Sequence, residues 1–156
     1  MEKLTIMFPW QQVAEVQISY KNPVSPSKRP KLTCSKEVYS LLLTFWNPDR
    51  IEYTEEFKVL LLNTGNRVLG IYQVSAGGND ATPVDSKILF TAALKANASA
   101  LILVHNHPSG NMVPSEADIN LTKKLVQAAK LLDIRILDHL IISAESFYSF
   151  KDAGIF

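Results

Sequence analysis

The sequence predicts an α/β fold: a single domain in which a mixed sheet is flanked by helices. Amphipathic, helix-like stretches alternate with apolar, strand-like runs along residues 35–156. Two of those runs, 56–62 and 67–75, are separated by the turn sequence NTGN, which is typical of a β-hairpin. A third run, SALILVH at 99–105, is almost continuously apolar, as expected for a strand that is buried on both faces at the centre of the sheet.

The helical segments can be placed by their periodicity and by their end signals. The first, 35–46, has a serine at position 35 that can cap it, and it ends at NPDR. Helical spacing of apolar residues returns at 86–98 and 116–133, and a further strand is predicted at 134–143. The last ten residues are expected to form a short strand and a turn. On the third helix one face is predicted to be apolar, with Leu121, Leu125, Ala129 and Leu132.

Residues 1–34 are the least patterned part of the chain. A plausible strand at 13–20 is followed by KNPVSPSKRPK, which is rich in proline and basic residues. We interpret residues 1–34 as an N-terminal strand and a basic linker arm, and residues 35–156 as the domain. The charge of the arm could contact phosphates, but a short solvated loop is the plainer interpretation.

Composition excludes several classes of function. The 156 residues are 47% hydrophobic, enough for one sizeable core, and 16 Lys and Arg against 15 Asp and Glu give no strong field for nucleic acid. The lone cysteine, Cys34, excludes an internal disulfide and a multi-cysteine zinc site. No apolar run approaches the ~20 residues that cross a bilayer, and the N-terminus lacks the long apolar region of a signal peptide. We therefore expect a cytoplasmic protein without a membrane partner.

The segment HNHPSGNMVPSEAD, at 105–118, contains two of the three histidines of the chain and the strongest candidates for metal ligands. His105 and His107 end a predicted strand, and residues two apart on a strand point to the same side, so both imidazoles can reach one ion. A turn then leads to Ser115, which begins a helix with Asp118 three residues later. Taken alone, that pair fits a capping box, and a histidine pair at a strand end is commonly solvated. Two imidazoles and a carboxylate together are the ligands of a catalytic zinc with one position left for water, so we predict Zn²⁺ there.

Other metal chemistries fit the sequence less well. The chain has no HExxH motif, and one cysteine cannot furnish the PCxxC ligands of the zinc deaminases. The letters HNH also name a nuclease class, but that name describes residues from separate structural elements. Three adjacent letters are therefore weak support for a nuclease.

The spacing HxH, seven residues, S, two residues, D resembles that of the JAMM (MPN-plus) metalloproteases. The wider context, ALILVHNHPSG, PSEADINLTKKLVQAAKLLDIRILDHLII and the NTGNRVLG hairpin, resembles the RadC family in particular, over roughly residues 35–156. The resemblance implies a cytidine-deaminase-like α/β fold with zinc at the end of the sheet. It also implies a zinc metallopeptidase or isopeptidase with a protein or peptide substrate.

The resemblance further implies a glutamate beside the zinc as the general base. Glu55 and Glu56 are the candidates, and only one can face inward because strand side chains alternate. Glu55 shares its face with Phe57, Glu56 shares its face with Lys58, and RadC-like sequences usually show Glu-x-Phe here, so we choose Glu55. Zinc would lower the pKa of its bound water toward ~7, and Glu55 would pass that proton to the leaving amine. Ser115 would donate a hydrogen bond to the oxyanion.

The third histidine, His139, stands beside Asp138 on the strand predicted after the motif helix. A core or interface histidine is the plainer interpretation. RadC-like chains often carry this Asp-His pair, so a role beside the site is the alternative for both residues.

A second function remains open, that of a DNA-repair-associated accessory module without proteolytic activity. The repair label of the family favours it, whereas the near-neutral charge does not support strong binding to duplex DNA. Full-length RadC-like proteins resemble a helix-hairpin-helix domain joined to the JAMM domain, and we expect no room for the former in this chain. The substrate and the oligomeric state are left open by the sequence.

Overall fold

One mixed sheet organises the chain in a computed structural model that describes residues 17–77 and 83–155. The elements of this part follow in the order α1 (Ser35–Phe45), β1 (Glu56–Leu62), β2 (Val68–Ala76), α2 (Ser86–Lys95), β3 (Ala100–Asn106), α3 (Glu116–Lys130), β4 (Arg135–Ile142) and β5 (Phe147–Ser149). The strands lie in the order β2-β1-β3-β4-β5. Only β3 and β4 pair in parallel, and the other neighbours are antiparallel. The predicted single α/β domain with a mixed sheet is confirmed.

The strand β3 lies in the middle of the sheet, as its continuous apolar sequence predicts. It pairs with β1 on one side and β4 on the other, and all of its residues are buried. The predicted hairpin of β1 and β2 is also confirmed. Its turn contains Asn66 at a φ of 57°, in the left-handed region that asparagine tolerates better than most residues.

Helices cover both faces of the sheet, and each face has its own apolar core. The face under α2 and α3 buries Phe57, Val59, Leu61, Leu89, Leu101, Leu103 and Leu125. The opposite face, under α1, buries Val38, Leu42, Leu60, Leu62, Ile102, Val104 and Leu140. Because side chains alternate along β3, odd-numbered residues point toward α2 and α3. His105 therefore continues the odd-numbered face at the carboxyl end of β3, where α3 begins.

Two details of the predicted helices are wrong. Ser35 does not cap α1, because it is the first helical residue; the N-cap position belongs to Cys34, which makes no side-chain capping hydrogen bond. The Ser35 hydroxyl donates to Asp152 instead. Leu132 does not belong to the buried face of α3, because that helix ends at Lys130, and Leu132 is 38% exposed.

The described part of the N-terminal arm lies along β2, the outer strand of the hairpin. Val68 donates its main-chain N–H to Pro30 O, and the Tyr20 hydroxyl donates to Leu69 O. The strand predicted at 13–20 falls partly outside the described residues, and its described part, 17–20, is not in a strand. Across 17–77 and 83–155, no helix has the length and apolarity needed to cross a membrane.

Candidate metal centre

The two histidines of the motif and Asp118 come together at the carboxyl end of β3. The Nε2 atoms of His105 and His107 are 3.0 Å apart. Asp118, in the first turn of α3, places Oδ1 at 3.2 Å from His105 Nε2 and Oδ2 at 3.8 Å from His107 Nε2. Each residue offers one atom to a group in which all such atoms lie within 4.8 Å of one another.

A capping box at the start of α3 fixes the Asp118 carboxylate. Ser115 is the N-cap residue, and its Oγ accepts a hydrogen bond from Asp118 N at 3.1 Å. In return, Asp118 Oδ2 accepts from Ser115 N at 2.8 Å and from Ser115 Oγ at 2.6 Å. The box therefore holds Oδ2 and leaves Oδ1 directed at His105, so the same residues cap the helix and build the centre.

The loop between strand and helix orients His107. The Nδ1 atom of His107 lies 2.5 Å from Asn111 O. A carbonyl oxygen can only accept, so Nδ1 carries a proton, and Nε2 is the nitrogen that can present a lone pair to the centre. The loop itself closes through Gly110, at a φ of 74°, whose N–H donates to His107 O.

The surroundings of Asp118 keep its carboxylate ionised. Burial raises the pKa of Asp118, but its hydrogen bond and charge interaction with His105 and its hydrogen bonds from Ser115 outweigh burial and hold the pKa well below its ordinary value. At neutral pH the centre therefore offers a negatively charged oxygen to a cation.

The donor set fits a zinc ion. Zinc in proteins binds imidazole nitrogen at about 2.0 to 2.1 Å and carboxylate oxygen at similar distances, so neighbouring ligand atoms in a tetrahedron are about 3.3 Å apart. The two closest separations here, 3.0 and 3.2 Å, are near that spacing. Two imidazoles and one carboxylate also leave a fourth position for water or substrate.

Glu55 and Glu56 have different surroundings. Glu55 directly precedes β1, is partly buried, and accepts the Gly77 N–H on its main-chain oxygen. By strand alternation it shares a face with Phe57, whose ring stacks on that of His105 with centroids 6.0 Å apart. Glu56 is buried on the other face, where its carboxylate pairs with Arg50 at 2.6 Å and Lys58 at 3.0 Å.

Sequence reasoning missed Asn106, which lies between the two histidines. Its side chain is fully buried, accepts the Glu56 N–H at 2.7 Å and donates to Ile51 O and Thr54 O at 2.7 and 2.9 Å. It thus ties the segment that carries Glu55 to the end of β3. The available signal was its strand position: an asparagine at the end of a buried strand needs partners for all of its amide atoms.

Sequence reasoning also missed Thr122 and left His139 open between two interpretations. His139 Nε2 is 2.8 Å from His105 Nδ1, and His139 Nδ1 is 2.6 Å from Thr122 Oγ1. His139 has no exposed surface, and burial lowers its pKa well below the ordinary histidine value, so the ring is neutral. Thr122 could have been found by helical spacing, because it lies one turn after Asp118 on α3.

Comparisons with known proteins agree with this architecture. A family profile described as RadC-like JAB domain matches residues 32–155. The chain is similar to a UPF0758 protein of Flavobacterium johnsoniae, with 45% identity over 130 residues that cover 83% of this chain and 55% of that protein.

Two further relatives, also UPF0758 proteins, are similar to this chain over most of its length. A UPF0758 protein of Caldanaerobacter subterraneus is 38% identical over 127 residues, covering 80% of this chain and 52% of that protein. The UPF0758 protein YfjY of Escherichia coli is 45% identical over 101 residues, covering 65% of this chain and 63% of that protein. The chain spans about half the length of the first two curated relatives named here.

Proposed function

The chain belongs to the RadC family of JAB domains, and from this membership and the geometry of the centre we propose that it is a zinc-dependent hydrolase of the JAMM type. One observation carries the proposal: His105 Nε2, His107 Nε2 and Asp118 Oδ1 converge at separations of 3.0 and 3.2 Å from His105. With both imidazoles neutral and protonated on Nδ1, all three groups would offer a lone pair to a bound cation. We propose cleavage of an amide or isopeptide bond in a protein or peptide substrate.

The residues of the centre would divide the work as follows. His105, His107 and Asp118 would hold the zinc ion. When bound, zinc supplies Lewis acidity and makes a water molecule nucleophilic near neutral pH. Glu55 takes a proton from the attacking water as its oxygen bonds to the carbonyl carbon, and it returns that proton to the nitrogen as the C–N bond breaks.

Ser115 would have two roles at different atoms. Its hydroxyl proton is donated to Asp118 Oδ2, so donation to a substrate oxyanion requires the hydroxyl to rotate away from the carboxylate. Its main-chain N–H can continue to hold Asp118 Oδ2 while it does so. A hydroxyl donor aimed at an oxyanion is typically worth about 10² to 10³ in rate.

The neighbouring glutamates provide a matched test of this function. The zinc-loaded protein is incubated with a proteome-derived peptide mixture and with peptides joined through a lysine isopeptide bond, and new amino groups are detected by mass spectrometry. We expect cleavage by the wild type and a loss of at least about 10²-fold in Glu55→Gln, because a general base is removed. Zinc content should be unchanged in that variant.

Glu56→Gln is the control, because the same chemical change is made one residue away on the opposite face. It should retain cleavage but lower the free energy of unfolding by about 2 kcal/mol, since it removes a buried charge from Arg50 and Lys58. Full cleavage by Glu55→Gln, or an inactive but folded Glu56→Gln that holds zinc, would contradict the assignment of the base.

A further inference from the structure

A chain of hydrogen bonds runs behind His105, on the side away from the candidate metal position. It passes from His105 Nδ1 to His139 Nε2 at 2.8 Å and from His139 Nδ1 to Thr122 Oγ1 at 2.6 Å. Thr122 Oγ1 then donates to Asp118 O at 2.6 Å. The three side chains are each 1% exposed or less. This series of hydrogen bonds therefore begins at one candidate ligand, His105, and ends at the main-chain oxygen of another, Asp118. It is shielded from solvent along its length.

A cation bound at the centre would fix which atom donates and which atom accepts in each of these hydrogen bonds. When His105 Nε2 binds the cation, the ring proton must lie on Nδ1, where it is donated to His139 Nε2. Because His139 Nε2 accepts that proton, the proton of the His139 ring itself lies on Nδ1 and is donated to Thr122 Oγ1. The Thr122 hydroxyl donates in turn to Asp118 O, which can only accept. Each buried N–H and O–H then has one acceptor, and none is left unpaired.

Packing prevents His139 from turning out of this arrangement. The ring stacks on Phe150 with centroids 4.6 Å apart, and the edge of Phe57 lies against it at 5.6 Å. The main chain on both sides is held as well, because His139 O accepts the Phe150 N–H at 3.0 Å and His139 N donates to Asp138 Oδ1 at 2.7 Å. The two ring nitrogens therefore stay directed at His105 and Thr122.

We propose that His139 and Thr122 are positioning residues of the metal centre, which hold the His105 proton on Nδ1 and keep Nε2 free to bind zinc. The inference rests on the proposed function, since it concerns the same zinc ion. Neither residue belongs to the ligand set. Both act through His105, and Thr122 also links the orientation of that ring to the helical turn that carries Asp118.

Thr122→Val and Thr122→Ser form the matched pair that tests the inference. Valine keeps the volume of threonine but removes the hydroxyl that accepts the His139 Nδ1–H, whereas serine keeps the hydroxyl. Zinc affinity is measured by competition with a chromophoric chelator. We expect Thr122→Val to weaken zinc binding by about 10- to 100-fold, as is typical when a hydrogen-bond partner of a ligating histidine is lost, and Thr122→Ser to stay near the wild type. His139→Leu should weaken binding in the same range.

A spectroscopic measurement separates positioning from a general loss of structure. In ¹⁵N NMR spectra of the zinc-loaded, histidine-labelled protein, His105 and His139 should both be protonated on Nδ1 in the wild type and in Thr122→Ser. Thr122→Val should shift His139 away from that tautomer while circular dichroism stays unchanged. If His139→Leu does not fold, the isosteric Thr122→Val still decides the question.

The outcomes distinguish the inference from the function on which it rests. Equal zinc affinity and unchanged ¹⁵N shifts in a folded Thr122→Val would overturn the inference and leave the zinc centre standing. A wild type that binds no zinc would overturn the proposed function, and the inference with it.

Discussion

At the scale of single residues, Asn106 links the two parts of the candidate site that lie far apart in sequence. Its carboxamide joins the end of β3 to the segment before β1, with hydrogen bonds to the main chain of Ile51, Thr54 and Glu56. The donors and the acceptor of the amide are all used, and the side chain is fully buried. The main chain next to Glu55 is thereby fixed relative to His105 and His107.

Asn106→Asp tests this link. The change replaces an NH₂ that donates to two carbonyls with an oxygen that repels them, in a site with no access to water. We expect a loss of about 3 kcal/mol in the free energy of unfolding, measured by urea denaturation, because buried donors and acceptors lose their partners. Asn120→Asp is the control, since it makes the same change at an exposed position of α3. Equal stability of the two variants would contradict the role of Asn106.

The residues of the candidate metal centre could be predicted from the sequence because their geometry is local. His105 and His107 are two residues apart on a strand, and Ser115 and Asp118 form a capping box, so short-range rules place all four. Asn106, Thr122 and His139 act through contacts between distant elements. The predicted apolar face of α3 packs on the core at Leu121, Leu125 and Ala129, and the polar Thr122 beside it is buried as well. Hydrophobic periodicity identifies the apolar face of a helix, but it does not show that a polar residue beside that face is buried.

At the scale of elements, Asp138 ties β4 to the turn that follows β5. Its Oδ1 accepts from His139 N at 2.7 Å and from Lys151 N at 3.0 Å, and its Oδ2 accepts from Ser149 Oγ at 2.6 Å. Burial raises the pKa of Asp138 above its ordinary value, although these three hydrogen bonds oppose the shift. Burial therefore favours the protonated carboxyl of Asp138, whereas the three hydrogen bonds favour the carboxylate.

The raised pKa predicts a dependence of stability on pH. A carboxyl that binds its proton more tightly in the folded state contributes stability at low pH, and this contribution is lost as pH rises from the unfolded pKa of about 3.9 through the folded pKa. Asp138→Asn removes the titration but keeps an acceptor for the two N–H groups. We expect its unfolding free energy, minus that of the wild type, to increase between pH 4 and pH 7.

A matched control isolates the effect of burial. Asp49→Asn makes the same change at an exposed position, and it shows how much of the effect comes from the loss of one carboxylate alone. The account of Asp138 fails if the difference between Asp138→Asn and the wild type is constant, or falls, from pH 4 to pH 7.

At the scale of the whole molecule, much of the architecture was predictable because each element carries its own signal. The hairpin turn, the apolar run of β3 and the capped start of α3 are all local patterns, and each element predicted within residues 35–156 appears in the described structure. The order of strands and the pairing of β3 with β4 depend on contacts across the sheet. That parallel pairing places His139 opposite Leu103, in the layer just beneath His105.

The metal content of the protein tests the central claim most directly. Wild type, His105→Ala, His107→Ala and Glu55→Gln are each loaded with zinc, dialysed against metal-free buffer and analysed by inductively coupled plasma mass spectrometry. Loss of one of the three protein ligands should weaken zinc binding enough for the ion to be removed by dialysis. We predict one zinc ion per chain in the wild type and in Glu55→Gln, and none in the two histidine variants. One zinc ion per chain in a folded His105→Ala would contradict the proposed centre.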